Sequence, residues 1–234
     1  IRNYMLQNLM SEITLKKAII ERKSIREFSK KKISQKKLNN IFKLAQKSPS
    51  NCNIQPWITY VCSGVTKQKL SKKMLKNEKN KIKPNPDYSY PSNFLFNLDY
   101  LKRQVDCAKQ LYDTLGIKRE DKATRYKAFL KNYEFYNAPH VCFIGMHENF
   151  GSSIALDVGI YVQNLLLAMK YYGVSSCPQA TLRNFPDLIR KELKIPTNVK
   201  ILLGISFGYA NKKALINKTN IVKSDLNENV NFFQ

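Results

Sequence analysis

The sequence predicts a fold of the α+β or α/β class, in which helices pack on a sheet. Segments whose apolar residues have helical spacing alternate with short segments rich in β-branched and aromatic residues. The predicted strands are separated by helices and not by two-residue hairpin turns. The segment 154–172 is apolar on all sides, which is typical of a helix buried at a domain centre or at a subunit interface.

The same patterns assign the elements in chain order. Helical spacing predicts five helical segments, the longest of them broken near Gly116: 15–22, 38–45, 101–136, 154–172 and 187–193. Composition and length predict four strands: 57–62, 140–146, 174–177 and 199–208. A chain of 234 residues is long enough for one domain with a substantial core, and we expect residues 1–234 to form a single domain.

One segment departs from this regular order and is expected to be a variable excursion at about 67–100. Its first part, 67–83, is mostly Lys and Asn and predicts an exposed basic helix. Pro84, Pro86 and Pro91 then favour an extended surface segment. Such segments are either lids over a site or tolerated insertions, and the composition favours neither. A C-terminal arm is expected at about 211–234.

The chain is strongly basic, with 40 Lys and Arg against 17 Asp and Glu and a formal charge of +23. This makes nucleic acid, an anionic membrane or an acidic substrate candidate partners. The Lys residues are accompanied by abundant Asn and Ile, a pattern that AT-rich coding also produces, and charge runs are usually solvated faces. The Lys-rich run lacks the interleaved aromatics that stack on bases, so a nucleic-acid partner is not expected.

Several classes of protein are excluded by motif. The five Cys and two His lack metal-ligand spacing, and scattered reduced thiols indicate a cytoplasmic protein. We expect neither a signal peptide nor a membrane span. GxGxxG, P-loop and GxSxG motifs are missing. If the chain is an enzyme, a cofactor is expected to supply its chemistry.

The first informative cluster is the basic segment 22–26, at the end of the first predicted helix. In an extended chain Arg22, Ser24 and Arg26 point to one side. Guanidinium groups beside a hydroxyl suit a phosphate or another anion. A solvated basic turn is the alternative interpretation of this segment taken alone.

The second cluster, 48–57, lies between a predicted helix and a predicted strand. Asn53 and Gln55 carry both donors and acceptors, which suit the edge of a heteroaromatic ring or a row of hydroxyl groups. The alternative is an Asx-type turn in which the side chains only cap the backbone. Trp57 is expected to be a core residue and not a platform for a ligand.

Together, five ordered segments resemble the flavin-dependent nitroreductase family. Residues 22–26 and 48–57 are similar to its N-terminal signature, an Arg-Arg-Ser-x-Arg-like segment followed by Pro-Ser-x-x-Asn-x-Gln-Pro-Trp. Residues 157–168 resemble its central helix, and 176–181 and 204–209 its C-terminal half. Cys-Pro-Gln-Ala at 177–180 and the segment 88–91 suggest the nitrobenzoate-reductase-like branch. The resemblance extends over about 13–223.

The resemblance implies an α+β sandwich with a mixed, mainly antiparallel sheet flanked by helices, and an interlocked homodimer. It implies FMN as cofactor and NADH or NADPH as co-substrate, with hydride passing through flavin N5 to nitroaromatic or other small electron-poor substrates in a ping-pong cycle. The alternatives are a flavin-dependent dehalogenase or dehydrogenase of the same fold, or an anion- or nucleic-acid-binding protein on a decayed reductase fold.

The resemblance also implies roles for individual residues, with no side chain acting as the catalytic group. The residues expected to contact FMN are Arg22, Lys23 and Ser24 at the phosphate and ribityl end, Arg26 at the pyrimidine edge, Pro178, Gln179 and Ala180 along the ring, Lys223 at the phosphate, and Pro49, Ser50, Asn51 and Asn53 from the other subunit, supported by Gln55. The residues expected to shape the substrate site are Cys52, Tyr88 and Tyr90.

Three positions depart from the family's pattern. Lys23 stands where Arg is usual, which keeps the charge and loses a bidentate fork. Cys52 occupies a position that is usually small or hydroxyl-bearing, near the expected substrate face. Asn220 stands where a basic residue is often found, so a weaker C-terminal phosphate contact is expected. Substrate preference is more affected by these departures than FMN binding is.

Overall fold

The computed structural model describes residues 13–89 and 97–234. These residues form seven α-helices: α1 (Leu15–Glu21), α2 (Gln35–Ala45), α3 (Gly64–Lys79), α4 (Leu98–Thr114), α5 (Lys122–Leu130), α6 (Ser152–Tyr171) and α7 (Pro186–Leu193). They also form four strands: β1 (Ile58–Ser63), β2 (His140–His147), β3 (Ser175–Gln179) and β4 (Val199–Gly208). The predicted α+β class is confirmed.

The four strands form one antiparallel sheet in the order β1-β2-β4-β3. β3 is an edge strand, and Cys177 lies opposite Ser206 of β4. Gly204 of β4 is required by a close approach, because a Cβ atom there would lie 2.7 Å from the side chain of Leu182. Leu182 belongs to the short 3₁₀ turn Ala180–Arg183 that follows β3, so this turn packs directly on the sheet.

Helices cover both faces of the sheet. The side chains of β2 alternate between two core clusters, as the two-residue period of a strand requires. Cys142, Ile144 and Met146 belong to the cluster under α2 and α6, which we call the first core cluster. Val141 and Phe143 belong to the cluster under α3 and α7, which we call the second core cluster. A strand covered on both sides explains why β2 has seven buried residues in a row.

The central helix α6 has the length and hydropathy of a membrane span, which the sequence analysis does not predict. By length and composition alone it could cross a bilayer, with a mean hydropathy of 1.4. In this fold, however, α6 packs against α1, α2 and β3. Its buried Asp157 accepts a hydrogen bond from the backbone N–H of Asn51. Core helices of soluble proteins have the same composition, and α6 occupies such a position here.

The basic segment 67–83 is only partly as predicted. It is helical as α3, but Leu70 and Met74 are fully buried in the second core cluster, so the expectation of an exposed helix is wrong for one face. The two residues are four apart and therefore share a face. The predicted break near Gly116 is confirmed, since Gly116 has φ of 66° and lies between α4 and α5.

Candidate functional site

The basic residues 22–26, which we call the cationic segment, run beside the edge strand β3. Helix α1 ends at Glu21, and Arg22 already has extended backbone angles. Ser24 forms a parallel bridge with Ser176 of β3, and the N–H of Ile25 donates to the Ser176 carbonyl at 3.0 Å. Ile25 is buried, so the chain direction and the alternation of side chains are both fixed.

Three side chains of the cationic segment converge on β3. Burial raises the pKa of the Cys177 thiol to about 11, and the charge of Arg26, a hydrogen bond from Ser24 and the charge of Arg22 act against this rise. All three side chains thus act on the same thiol of β3. Lys23 is exposed on the other side, with its ammonium group 3.5 Å from the carbonyl of Thr219.

A buried Asn from the C-terminal part of the chain holds the cationic segment. The side-chain oxygen of Asn217 accepts from the backbone N–H of Arg26 at 2.8 Å. Its amide nitrogen donates to the carbonyls of Glu27, at 2.7 Å, and Asn211, at 3.0 Å. All three bonds fix backbone and not side chains, which leaves the Arg26 guanidinium free to be directed by other contacts. Sequence analysis missed Asn217 because no motif surrounds it.

The end of β3 presents main chain, and not the Gln179 side chain, to its surroundings. Gln179 is 4% exposed, its amide nitrogen donates to the carbonyl and side-chain oxygen of Asn132, and its oxygen accepts from the Ser206 hydroxyl. Within the described part of the chain β3 has a strand neighbour on one side only. On its other side β3 is joined to the cationic segment at Ser176, and Pro178 and Ala180 follow this point along the chain.

The second cluster, residues 48–55, forms an exposed loop that we call the amide loop. The backbone N–H of Asn51 donates to Asp157 at 3.0 Å, and the side chain of Asn164 donates to the Ser48 hydroxyl at 2.8 Å. Asp157 and Asn164 are two turns apart on α6 and share a face. Helix α6 therefore holds the loop at two points.

The backbone of the amide loop is strained. Cys52, Asn53 and Gln55 have φ of 46°, 58° and 47°, and such left-handed residues cost about 1–3 kcal/mol each when they are not Gly. Two hydrogen bonds within the loop stabilise it: the N–H of Gln55 donates to the Ser50 hydroxyl, and the Gln55 amide donates to the Asn53 carbonyl. Residues 51–55 are all exposed, and Pro49 is exposed as well.

Trp57 is a core residue, as predicted. Its indole stacks on Tyr161 with ring centroids 4.9 Å apart, and its N–H donates to the side chain of Gln46 at 2.9 Å. The stacked rings both belong to the first core cluster.

The cationic segment and the amide loop are attached to α6 at different points. Glu21, beside Arg22, forms an ion pair of 2.9 Å with Lys170. Asn51 is bonded to Asp157, about 20 Å from Lys170 along the helix, and Ser48 to Asn164, about 9 Å from it, at about 1.5 Å per residue. That the amide loop serves the site of a second copy stays a prediction.

The remaining predicted residues fall in other places. Tyr88 is partly buried against the first core cluster, and burial, followed by the charge of Asp87, raises the pKa of its hydroxyl. Lys223 lines a groove beside α4, with Asp99 and Asp106. Tyr90 lies outside the described residues. That these three residues contact cofactor or substrate stays a prediction.

The described residues contain no candidate metal centre. In residues 13–89 and 97–234, no group of three or more His, Cys, Asp or Glu side chains is arranged to hold a metal ion. The donor set that remains is cationic and amide-rich, which suits an anionic organic ligand with a polar ring edge.

Comparison with known proteins defines the class. The sequence matches the model of the nitroreductase family over residues 19–209. It is 35% identical over 211 residues to nitroreductase NfnB of Mycolicibacterium smegmatis, a match that covers 90% of this chain and 89% of the relative. It is 31% identical to a 4-nitrobenzoate reductase of Pseudomonas putida, covering 85% and 86% of the two chains.

The structural comparison agrees. The crystal structure of the FMN-dependent nitroreductase NfnB from Mycobacterium smegmatis in complex with NADPH superposes with a TM-score of 0.90 at 34% identity, covering 94% of this chain and 97% of that one. The chain belongs to the nitroreductase family. The resemblance predicted from the five motifs is confirmed.

Proposed function

We propose that the protein is an FMN-dependent oxidoreductase that uses NADH or NADPH to reduce small electron-poor substrates, nitroaromatic compounds among them. Family membership supports the reductase class. The observation that carries the proposal for this chain is that the basic segment 22–26 is joined to β3 through Ser24 and Ile25, which places its cationic side chains beside that strand.

The residues present fit FMN. A phosphate needs cationic and hydroxyl donors, which Arg22 and Ser24 supply side by side. Of the two acidic residues that flank the segment, Glu21 is paired with Lys170, and Glu27 keeps its charge while it accepts a hydrogen bond from the side chain of Asn137. Arg22, Lys23 and Arg26 outnumber these two carboxylates, so the segment stays cationic.

Within such a site the chain's own residues have distinct tasks. Arg22 and Ser24 bind the phosphate and ribityl end, with Lys23 and Lys223 as further cations at longer reach. Arg26 places a fixed positive charge where the ring gains negative charge on reduction, and preorganised charge of this kind favours the reduced form. Residues 178–180 hold the ring through main-chain groups. When bound, FMN supplies the transfer of two electrons from a nicotinamide to an oxidised substrate.

Neither segment of the site provides an acid–base group. The cationic segment and the amide loop contain no His, Asp or Glu. Proton delivery is therefore assigned to solvent at an open site. Cys52 on the amide loop, with Tyr88 and Tyr90, is assigned to the substrate side.

The functional unit in this proposal is a homodimer. The amide loop is exposed from Asn51 to Gln55, and in this proposal its Pro49, Ser50, Asn51 and Asn53 serve the site of a second copy, with Gln55 in support. Exposed apolar side chains on α1 and α6, among them Leu15, Ile20 and Leu156, are 68%, 70% and 69% exposed and suit an interface that a second copy covers.

A cytoplasmic location is part of the proposal. All five cysteines are free, and three of them, Cys62, Cys142 and Cys177, are buried without a disulfide partner. Unpaired thiols are typical of proteins from reducing compartments.

One visible spectrum tests the proposal. The purified protein should carry, or take up on reconstitution, the flavin absorbance of FMN, and the absorbance should bleach on anaerobic addition of NADH or NADPH. Steady-state turnover of 4-nitrobenzoate with the same nicotinamide should follow. A protein that does not bind FMN contradicts the proposal, and one that binds and reduces FMN without turning over a nitroaromatic favours a dehalogenase or dehydrogenase of the same fold.

A further inference from the structure

A buried ion pair holds the segment that carries Tyr88. The two oxygens of the Asp87 carboxylate accept from the two terminal nitrogens of the Arg190 guanidinium at 2.7 and 3.0 Å. The side chains of Asp87 and Arg190 are only 8% and 11% exposed. The backbone N–H of Ile201 donates to the same carboxylate at 2.7 Å. Asp87 therefore joins residues 84–88, which we call the anchored segment, to both α7 and β4.

The anchored segment is also bonded to the turn that follows β3. The backbone N–H of Asn85 donates to the carbonyl of Asn184 at 3.0 Å. Asn184 ends the 3₁₀ turn Ala180–Arg183, and it lies about 8 Å along the turn from Ala180, at about 2.0 Å per residue. Ala180 is one of the residues that hold the flavin ring in the proposed function. The anchored segment is therefore attached close to the end of β3 that is assigned to the cofactor.

Tyr88 follows Asp87 directly in the chain, so the bonds of Asp87 limit where the Tyr88 ring can lie. The ring is half-buried and packs against the first core cluster. Burial raises the pKa of the Tyr88 hydroxyl, which therefore stays protonated and can donate a hydrogen bond at neutral pH. Tyr88 thus combines an apolar ring with a polar end, which suits contact with a small aromatic substrate.

We propose that Asp87 and Arg190 are positioning residues for substrate binding, because their ion pair holds Tyr88 in a fixed place near the turn that follows β3. The inference rests on the proposed function, in which Tyr88 lies on the substrate side. A side chain that is already ordered loses less conformational entropy when a ligand binds against it. The ion pair therefore strengthens substrate binding, and it leaves FMN binding and the reduction of the flavin unchanged.

The test is Asp87→Asn, which keeps the size of the side chain, removes its charge and breaks the bidentate pair with Arg190. Steady-state kinetics with 4-nitrobenzoate give kcat and KM. Fluorescence titration gives the FMN dissociation constant, and anaerobic mixing with NADH or NADPH gives the rate of flavin reduction. We expect KM to rise about 3- to 10-fold, as for having to order one side chain on binding. The other three quantities should stay as in the wild type.

A double variant shows whether Asp87 acts through Tyr88. Tyr88→Ala should raise KM by itself, and the addition of Asp87→Asn should then raise it no further, because the effects of coupled positions do not add. Effects on the logarithm of KM that add would overturn the inference. A wild-type KM in either single variant would overturn it as well.

Glu192→Gln is the matched control on the same helix. The side chain of Glu192 is 6% exposed and forms ion pairs with Lys69 and Lys73 of α3, so this variant weakens the attachment of α3 and not that of the anchored segment. We expect a lower free energy of unfolding and a wild-type KM. An equal rise of KM in Glu192→Gln would assign Asp87 a merely structural role and overturn the inference.

Arg190→Lys provides a second variant that leaves Asp87 in place. It keeps the positive charge and loses the bidentate fork, so we expect a smaller rise of KM in the same direction. If Asp87→Asn does not fold, the KM of Arg190→Lys decides, and a wild-type value overturns the inference. Failure of the wild-type protein to bind FMN is a separate outcome, which contradicts the proposed function itself.

Discussion

The cationic segment and the amide loop carry the two halves of the candidate site, and the chain supports them in opposite ways. The cationic segment is joined to β3, to Asn217 and to the turn at Tyr136, and one of its residues, Ile25, is in the core. The amide loop is exposed from Asn51 to Gln55, is strained at three positions, and is bonded to α6 at Asp157 and Asn164 and to α2 at Ala45. The first half is complete within one chain. The amide loop is exposed, as it must be if its residues serve the site of a second copy.

The largest expected effect follows removal of the clamp on the cationic segment. Asn217→Ala leaves the N–H of Arg26 without its hydrogen-bond partner, and it removes one of the two donors to the carbonyl of Glu27, which keeps the N–H of Asn211. We expect a loss of about 3 kcal/mol in the free energy of unfolding, since each unsatisfied buried group costs about 1–3 kcal/mol. Chemical denaturation measures it. Asn211 is a half-buried Asn whose side chain bonds the nearby Lys213 N–H, and Asn211→Ala should cost under about 0.5 kcal/mol; equal losses would contradict this account.

The next effect separates the two sides of the cationic segment. Arg22→Ala should weaken FMN binding by about 10- to 100-fold, because bonds to charged groups contribute about 1.5–3 kcal/mol. Lys23→Ala should weaken it less than about threefold, because Lys23 lies on the opposite side and is exposed. Fluorescence titration with FMN gives both constants. A larger effect for Lys23 would show that the segment turns its other side to the cofactor.

A smaller effect is expected where α6 holds the amide loop. Asp157→Asn keeps the shape of the side chain and removes the charge from its bond to the Asn51 N–H. We expect FMN binding to weaken by about three- to tenfold, the range for weakening one charge-assisted bond. Asp106→Asn, on the exposed face of α4, is the control and should bind FMN as the wild type does. Unchanged binding in Asp157→Asn would mean that the loop does not depend on α6.

The smallest effect concerns strain in the loop. Cys52→Gly removes the steric cost of φ at 46°, and a net gain of about 1 kcal/mol would raise the melting temperature by about 2–4 °C. Lys194→Gly, at φ of 53° after α7, is a matched left-handed position away from the site and should gain similarly. A fall for Cys52→Gly alone would show that the thiol makes contacts that outweigh the backbone cost.

Local patterns predicted the regular elements well, because their signals lie within a few residues. The strand predicted at 199–208 is β4 as observed, and the alternation of side chains placed Arg22 and Ser24 on one side. Leu70 and Met74 show where the approach failed. Their spacing of four was visible, but the surrounding Lys residues outweighed two apolar positions, and only the packed structure shows that they are buried.

The supports of the site could not be predicted, because they are long-range and carry no motif. Asn217 bonds Arg26 across 191 positions, and Asp157 holds Asn51 across 106. Phe135, Tyr136 and Asn137 all have positive φ angles although none of them is Gly, so the sequence does not indicate this turn. Contacts of this kind depend on how the whole chain packs, so single-sequence patterns leave them open.

The central claim is that each site takes its cationic segment from one protomer and its amide loop from the other. It is tested by combining Arg22→Ala and Asn53→Ala, each weakened in FMN binding as a homodimer, into one heterodimer purified through two different tags. The account predicts that one site of the heterodimer carries both changes and the other carries none, so that one FMN binds per dimer with wild-type affinity. Two sites that both stay weak would show that each protomer builds its site from its own chain, and would contradict the account.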